Sequence, residues 1–230
     1  MAAEPAHHAH RLSERSEAIE DYAKAIYMLA RREPGAVGTG ALASRLGVSP
    51  GTVTAMCKRM AELELVEHEP YRGVTLTKAG ERVALEVIRH HRLIEAYLAD
   101  ALDMPWDQVH DEAEVLEHYI SEELEERMAS ALGDPSTDPH GDPIPDRKLA
   151  ISTEHGVPLV ELEAGESGTF SRVSDSDPEM LRYLDRRGIR PGSEVTVRDR
   201  EPFGGAMQIV VDDTAHAIGE RLASRMLITT

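Results

Sequence analysis

Apolar positions recur along the chain in two rhythms, one helical and one alternating. Between Ser13 and Arg31, Ile19, Tyr22, Ile26 and Leu29 return at spacings of three and four, which predicts a helix with one buried face. Pro34–Gly35 ends it. A short helix is predicted over Ala41–Leu46, with Thr39 as its N-cap and Gly47 closing it. Ser49 caps the next one, with Pro50 at the first helical position. Two short helices joined by a glycine-containing turn make a helix-turn-helix. The period then falls to two: Leu65–Glu69 and Gly73–Thr77 alternate around E-P-Y-R-G and predict the two strands of a wing.

Thr77 is placed to cap a long amphipathic helix, K-A-G-E-R-V-A-L-E-V-I-R-H-H-R-L-I-E-A-Y-L-A-D-A-L. Met104-Pro105-Trp106 begins another, and a third runs from about Ile120 to Leu132. Long amphipathic helices after a winged domain fit a dimer interface. Prolines and glycines over Gly133–Pro145 break regular structure. Beyond Pro158, the runs G-T-F-S-R-V, S-E-V-T-V-R-D and A-M-Q-I-V-V-D predict short strands of a small β-barrel of the Src-homology-3 type. The fold class is mainly α with a small β domain. The expected divisions are a disordered tail over 1–12 (carrying His7, His8 and His10), a winged helix-turn-helix over 13–77, a helical domain over 78–145, and a linker with the barrel over 146–230.

Charge changes the picture. The net charge of −17 over 230 residues argues against a nucleic-acid partner, but it is unevenly spread. Residues 1–92 hold 13 Lys+Arg against 12 Asp+Glu, and residues 93–230 hold 12 against 30. The N-terminal part can meet DNA, whereas the remainder needs cations to offset its acid. The single cysteine, Cys57, excludes an intramolecular disulfide and a cysteine-cluster zinc site, and reads as a small core residue. No apolar run is long enough to cross a membrane, and the start has no signal-peptide core, so a cytoplasmic protein with no membrane partner is expected.

Candidate chemistry concentrates in Q-V-H-D-E-A-E-V-L-E-H, from Gln108 to His118, with two histidines and four acids in eleven residues. At helical spacing Glu114, Glu117 and His118 share a face, and His110 lies one turn earlier. The preceding helix offers His91 and Glu95, four apart. Such carboxylate–histidine sets in a bundle are typical metal sites, because a dication offsets buried carboxylates. An acidic protein also has solvated acidic faces, and spacing alone leaves both readings open.

V-H-D-E-A-E-V-L-E-H-Y-I-S-E-E-L-E-E-R-M followed by D-P-H-G-D-P-I-P resembles the diphtheria toxin repressor family of metal-dependent transcription regulators. So do I-E-D-Y-A-K-A-I-Y-M-L, L-A-S-R-L-G-V-S-P-G-T-V-T and R-H-H-R-L-I-E. The similarity covers about residues 16–145, and the C-terminal part more loosely through I-R-P-G-S-E-V. The resemblance implies two metal sites per subunit, a homodimer, and a double-stranded DNA operator taking one dimer or two. Its primary site would be Asp21, Glu114, Glu117 and His118 with the Glu114 backbone carbonyl; its second, His91, Glu95 and His110 with Asp177 and Glu179 from the barrel. The positions of Asp21 and Glu114 are methionine and cysteine in the family's iron-responsive branch and carboxylates in its manganese-responsive branch. Oxygen donors with one imidazole suit Mn(II), and Fe(II) is the alternative. Lys24 stands beside the register where short manganese regulators carry a further glutamate, which favours two separated sites over a bridged pair.

Recognition is expected from the Ser49–Met60 helix. Ser49, Thr52 and Thr54 offer hydroxyls to phosphates and groove edges, Gly51 and Ala55 permit close approach, Lys58 and Arg59 carry phosphate-directed charge, and Arg72 sits in the wing. Val53, Met56 and Met60 read as core. The expected function is a Mn(II)-activated homodimeric repressor controlling metal homeostasis, with the Fe(II)-dependent repressor as alternative. A metallohydrolase lacks an acid–base pair beyond the ligands themselves, so no enzyme is expected. A winged-helix sensor of a small organic ligand would bind DNA under chelation.

Overall fold

The computed structural model describes residues 5–69, 72–152, 156–174, 177–202 and 205–230, with side chains from Glu17 onward. These form two compact units, residues 1–90 with 147–149 and residues 91–146 with 150–230.

The first unit opens with α1 (Pro5–Arg32) and continues through α2 (Thr39–Leu46), α3 (Pro50–Glu62), β1 (Val66–Glu69) and β2 (Gly73–Leu76) into α4 (Lys78–Leu102), in which the division between units falls. Helix α1 starts ahead of the expected Ser13 and takes in residues 5–12 of the stretch read as a disordered tail. Pro5 suits a first helical position, and Ala, Arg, Leu and Glu follow it. The rest of that tail, residues 1–4, lies outside the described residues. Tyr22 and Ile26 are buried as the period requires. Gly38, not Thr39, is the N-cap of α2, and Thr39 is already helical. Gly47 closes α2 in the left-handed region at φ 66°. The Ser49 hydroxyl accepts from the Thr52 N–H and starts α3 as expected. Val53, Cys57 and Met60 turn inward, so Thr52, Ala55 and Lys58 are left on the outer face.

In the wing, β1 pairs antiparallel with β2 from Val66↔Leu76 to Glu69↔Gly73, and Val37 bridges to Val74. Gly73 has φ 115°, and a Cβ there would lie 2.6 Å from the Val37 carbonyl oxygen, so only glycine lets these segments meet. The turn residues 70 and 71 lie outside the described residues. Thr77 caps α4 by accepting from the Gly80 N–H at 3.2 Å.

In the second unit, the end of α4 packs with α5 (Val109–Leu116) and α6 (Glu122–Ala131) through Ile94, Leu98, Val109, Ala113 and Met128. Met104-Pro105-Trp106 does not begin α5. Pro105 holds a turn, closed by the Gln108 N–H on its carbonyl at 2.8 Å, and the Trp106 ring leaves the helical layer. Helix α5 also stops at Leu116, which puts Glu117 and His118 in the following turn. Ser121 caps α6.

The β domain holds β3 (Val157–Pro158), β4 (Ser167–Val173), α7 (Pro178–Asp185), β5 (Glu194–Arg200), β6 (Met207–Val211), β7 (Thr214–Ile218), α8 (Glu220–Ala223) and β8 (Met226–Thr229). Its six strands form one antiparallel sheet in the order β3-β8-β4-β5-β6-β7, an SH3-like domain. Phe170, Val195, Val197, Ile209 and Ile228 alternate into its core, and Trp106 is buried among them, 1% exposed.

Candidate metal centre

Helix α4 positions the first donors. Its inward face carries His91 and Glu95, one turn apart, and Arg92 beside them. Glu95 is 1% exposed, and an isolated carboxylate at that depth is costly. It is met by nitrogen on two sides. Its Oε1 lies 3.1 Å from His91 Nε2 and 3.2 Å from His110 Nδ1, and its Oε2 lies 3.7 Å from His140 Nδ1. Burial pushes the Glu95 carboxyl up, but His110, His140 and His91 outweigh it and hold it well below the usual range.

The turn after α5 positions the next donors. Glu117, 1% exposed, places Oε2 2.6 Å from His91 Nδ1, and His118 Nε2 lies 3.5 Å from its Oε1. Glu114, half-exposed, sets Oε1 3.8 Å from His91 Nδ1 and 3.9 Å from His110 Nε2. His91, His110 and Glu114 each offer a ligand atom within 4.8 Å of the others.

The loop Thr137–Pro143 supplies a second group that the sequence reading did not single out. Asp138 and His140 are buried there with Glu95, and their ligand atoms also converge within 4.8 Å. His140 Nε2 donates to the Trp106 carbonyl at 2.7 Å. Among the described residues its buried Nδ1 has no hydrogen-bond partner, and it lies 3.7 Å from Glu95 and 4.0 Å from Asp138. Burial pulls the His140 imidazolium down, but Glu95, Asp138 and the Trp106 carbonyl prevail and hold it at about 9. Burial raises the Asp138 carboxyl well above its ordinary value, with Glu95 and Asp142 adding to the effect against His140 and Arg92. Its Oδ1 accepts from the His140 and Asp142 N–H groups. Arg92 anchors the loop through Asp142 at 3.1 Å and the Pro143 carbonyl.

His140 Nδ1, set beside two buried carboxylates, is a position a dication fits once the nitrogen gives up its proton. A proton is the other cation that can sit there.

The expected barrel ligands do not join these groups. Asp177 caps α7 by accepting from the Glu179 and Met180 N–H groups and pairs with Arg221 at 2.9 Å, while Glu179 is exposed. Asp21 stands half-buried on α1 of the first unit. Of the expected DNA-facing residues, Ser49, Gly51, Thr52, Lys58 and Arg72 are exposed, and Thr54 and Arg59 are half-buried. The Thr54 hydroxyl donates to the Pro50 carbonyl at 2.9 Å, and Arg72 pairs with Glu69 at 3.2 Å.

Three family descriptions match the chain in succession: the iron dependent repressor N-terminal DNA binding domain over residues 14–74, the iron dependent repressor metal binding and dimerisation domain over 77–146, and the FeoA domain over 157–230. The iron-dependent repressor IdeR of Mycobacterium tuberculosis is 33% identical over 213 residues, 87% of this chain and 91% of its own. The chain belongs to the iron-dependent repressor family. Members are metal-dependent transcriptional repressors, not enzymes. The diphtheria toxin repressor of Corynebacterium efficiens is 34% identical over 215 residues, 86% of this chain and 93% of its own. A manganese-dependent transcriptional repressor solved with manganese matches with a TM-score of 0.84 at 39% identity, covering 92% of this chain and 99% of that one. The dimerisation and DNA-binding domains make this member a homodimeric operator-binding protein. Among the described residues, no helix is long and apolar enough to cross a membrane.

Proposed function

We propose that this repressor is activated by Mn(II), binds double-stranded operator DNA as a homodimer, and controls metal homeostasis. One observation carries the choice of metal. Among the described residues, the His, Cys, Asp and Glu side chains that converge in the second unit are all carboxylates and imidazoles, while the sole cysteine is buried in the core of α3. Hard oxygen donors with few nitrogens suit Mn(II), and thiolate or thioether donors would favour softer metals. Similarity to the manganese-dependent repressor points the same way.

In this reading each subunit takes two ions. The first is bound by Glu114, Glu117 and His118 with the Glu114 carbonyl, and by Asp21 from α1. The second is bound by Glu95, Asp138 and His140, which are fully buried and include the unpartnered Nδ1. His91 and His110 hydrogen-bond Glu117 and Glu95 and orient them. Metal ligation of Asp21 ties the DNA-binding helices to the dimer, so that the two α3 helices reach the roughly 34–36 Å spacing of successive major grooves. A hundredfold preference of metal for that state shifts the equilibrium by ~2.7 kcal/mol. Ser49, Gly51, Thr52, Thr54, Lys58 and Arg59 then meet the groove and its phosphates, and Arg72 the flanking backbone.

The Fe(II)-dependent reading has in its favour the names of the iron-dependent relatives and of the two matching iron dependent repressor descriptions. Operator binding by chelated protein, titrated with Mn(II) or anaerobic Fe(II), separates the two. Binding should appear with micromolar Mn(II) and vanish in Asp21→Ala. An equal response to Fe(II) at its cellular concentration moves the protein to the iron branch. Binding that ignores chelation refutes metal control.

A further inference from the structure

The loop carrying Asp138 and His140 is held on two sides. Arg92 of α4 holds it from below. The β domain holds it from above: the Val173 N–H of β4 donates to the His140 carbonyl at 2.9 Å, and Arg172 pairs with Asp142 at 3.3 Å. The contact with β4 is flush. A Cβ on Gly141 would lie 1.9 Å from the Ser171 carbonyl oxygen, and Gly141 has φ 87°. Trp106 joins the same assembly. Its carbonyl takes the His140 Nε2 proton, its ring stacks on the His140 ring at 5.8 Å, and that ring is part of the β-domain core, covered by Arg190 at 4.6 Å.

The β domain offers no ligand side chain to the Glu95–Asp138–His140 group among the described residues, yet it touches the ligand loop at His140, Gly141 and Asp142. From these contacts we propose that Trp106 is a positioning residue for the second metal: it pins the β domain to the helical layer and so fixes the direction of His140 Nδ1. Docking of the β domain and occupancy of the second site are then linked, each strengthening the other by the same factor. The inference rests on the assignment of the second site above. Groups that orient a ligand without touching the metal commonly govern affinity by ten- to a hundredfold.

The test uses the full chain. Mn(II) is titrated into chelator-stripped wild type, Trp106→Phe and Trp106→Ala, and bound metal is counted from the loss of the free-ion electron paramagnetic resonance signal. Wild type should bind two ions. Trp106→Ala should keep the first and weaken the second about ten- to a hundredfold, and Trp106→Phe, which keeps an aromatic ring in the core, should recover most of it. A second measurement needs no variant. In wild type the Val173 amide should exchange with solvent more slowly once the second ion is bound, and Glu95→Gln should abolish that protection. Two ions bound with unchanged affinity in Trp106→Ala, or Val173 exchange indifferent to the second ion, overturns the positioning role and leaves the metal reading intact. No Mn(II) bound to wild type overturns both.

Discussion

Glu95→Gln is the most informative single change, because it keeps the shape of the side chain and removes its charge. In the metal-free protein one buried carboxylate is shared by His91 and His110 on one oxygen and faces His140 on the other. Removing one partner of a buried charged set costs about 3–5 kcal/mol, because the remaining charge is left uncompensated. The amide oxygen still accepts one hydrogen bond, which places the expected loss near the lower end, ~3 kcal/mol. Trp106 is the only tryptophan and is buried in the second unit, so its emission reports that unit's unfolding without interference from the first. With a urea slope of about 2 kcal/mol per molar, the midpoint in excess chelator should fall by about 1.5 M. The same variant should weaken both Mn(II) ions, since Glu95 is a ligand of one site and takes the histidines that border the other. A midpoint that moves less than about 0.3 M, or one Mn(II) site left at full affinity, would refute the view that this carboxylate joins the two groups.

His140 makes the second site pH-dependent. Its imidazolium persists to about 9 without metal, so binding must expel that proton, and affinity should rise about tenfold per pH unit below pH 9. The same raised value stabilises the metal-free fold fully below pH 6.5 and ceases to do so as pH climbs through 9, which chelated unfolding against pH would show. Leu116 and Val115 lie exposed on α5 in the dimerisation domain, so Leu116→Asp should shift sedimentation toward monomer; an unchanged dimer would place the interface elsewhere. Ser49→Ala removes the α3 cap, and should cost ~1 kcal/mol in the first unit and weaken operator binding while Mn(II) binding holds.

The winged helix was legible because three of its boundaries are written in local chemistry: Gly47, Ser49-Pro50 and Thr77 end or begin elements by their own conformational preferences. Thr39 misled by one residue, since Gly38 already has the extended backbone a cap needs. On α4, His91 and Glu95 showed themselves by helical spacing. Asp138 and His140 could not, because they sit in an irregular proline-rich loop with no period, and their partner Glu95 lies more than forty residues away. The clue was the D-P-H-G-D run itself, in which acids and a histidine stand among residues that break structure. Asp177 misled in the opposite way: an acid before a proline is equally the start of a helix, and α7 uses it so.

The stop of α5 at Leu116 has its own consequence. No glycine or proline follows; the next residues are Glu117, His118, Tyr119 and Ile120, which tolerate helix. At that end stand a distant bond, Glu117 to His91, and the capped start of α6. One more helical residue rotates everything beyond it by about 100°. If the Glu117–His91 bond is lost, α5 is free to wind onward and carry His118 away from its partners. The length of α5 therefore hangs on a side chain beyond its end, and the negative end of the α5 dipole favours a cation at that stop.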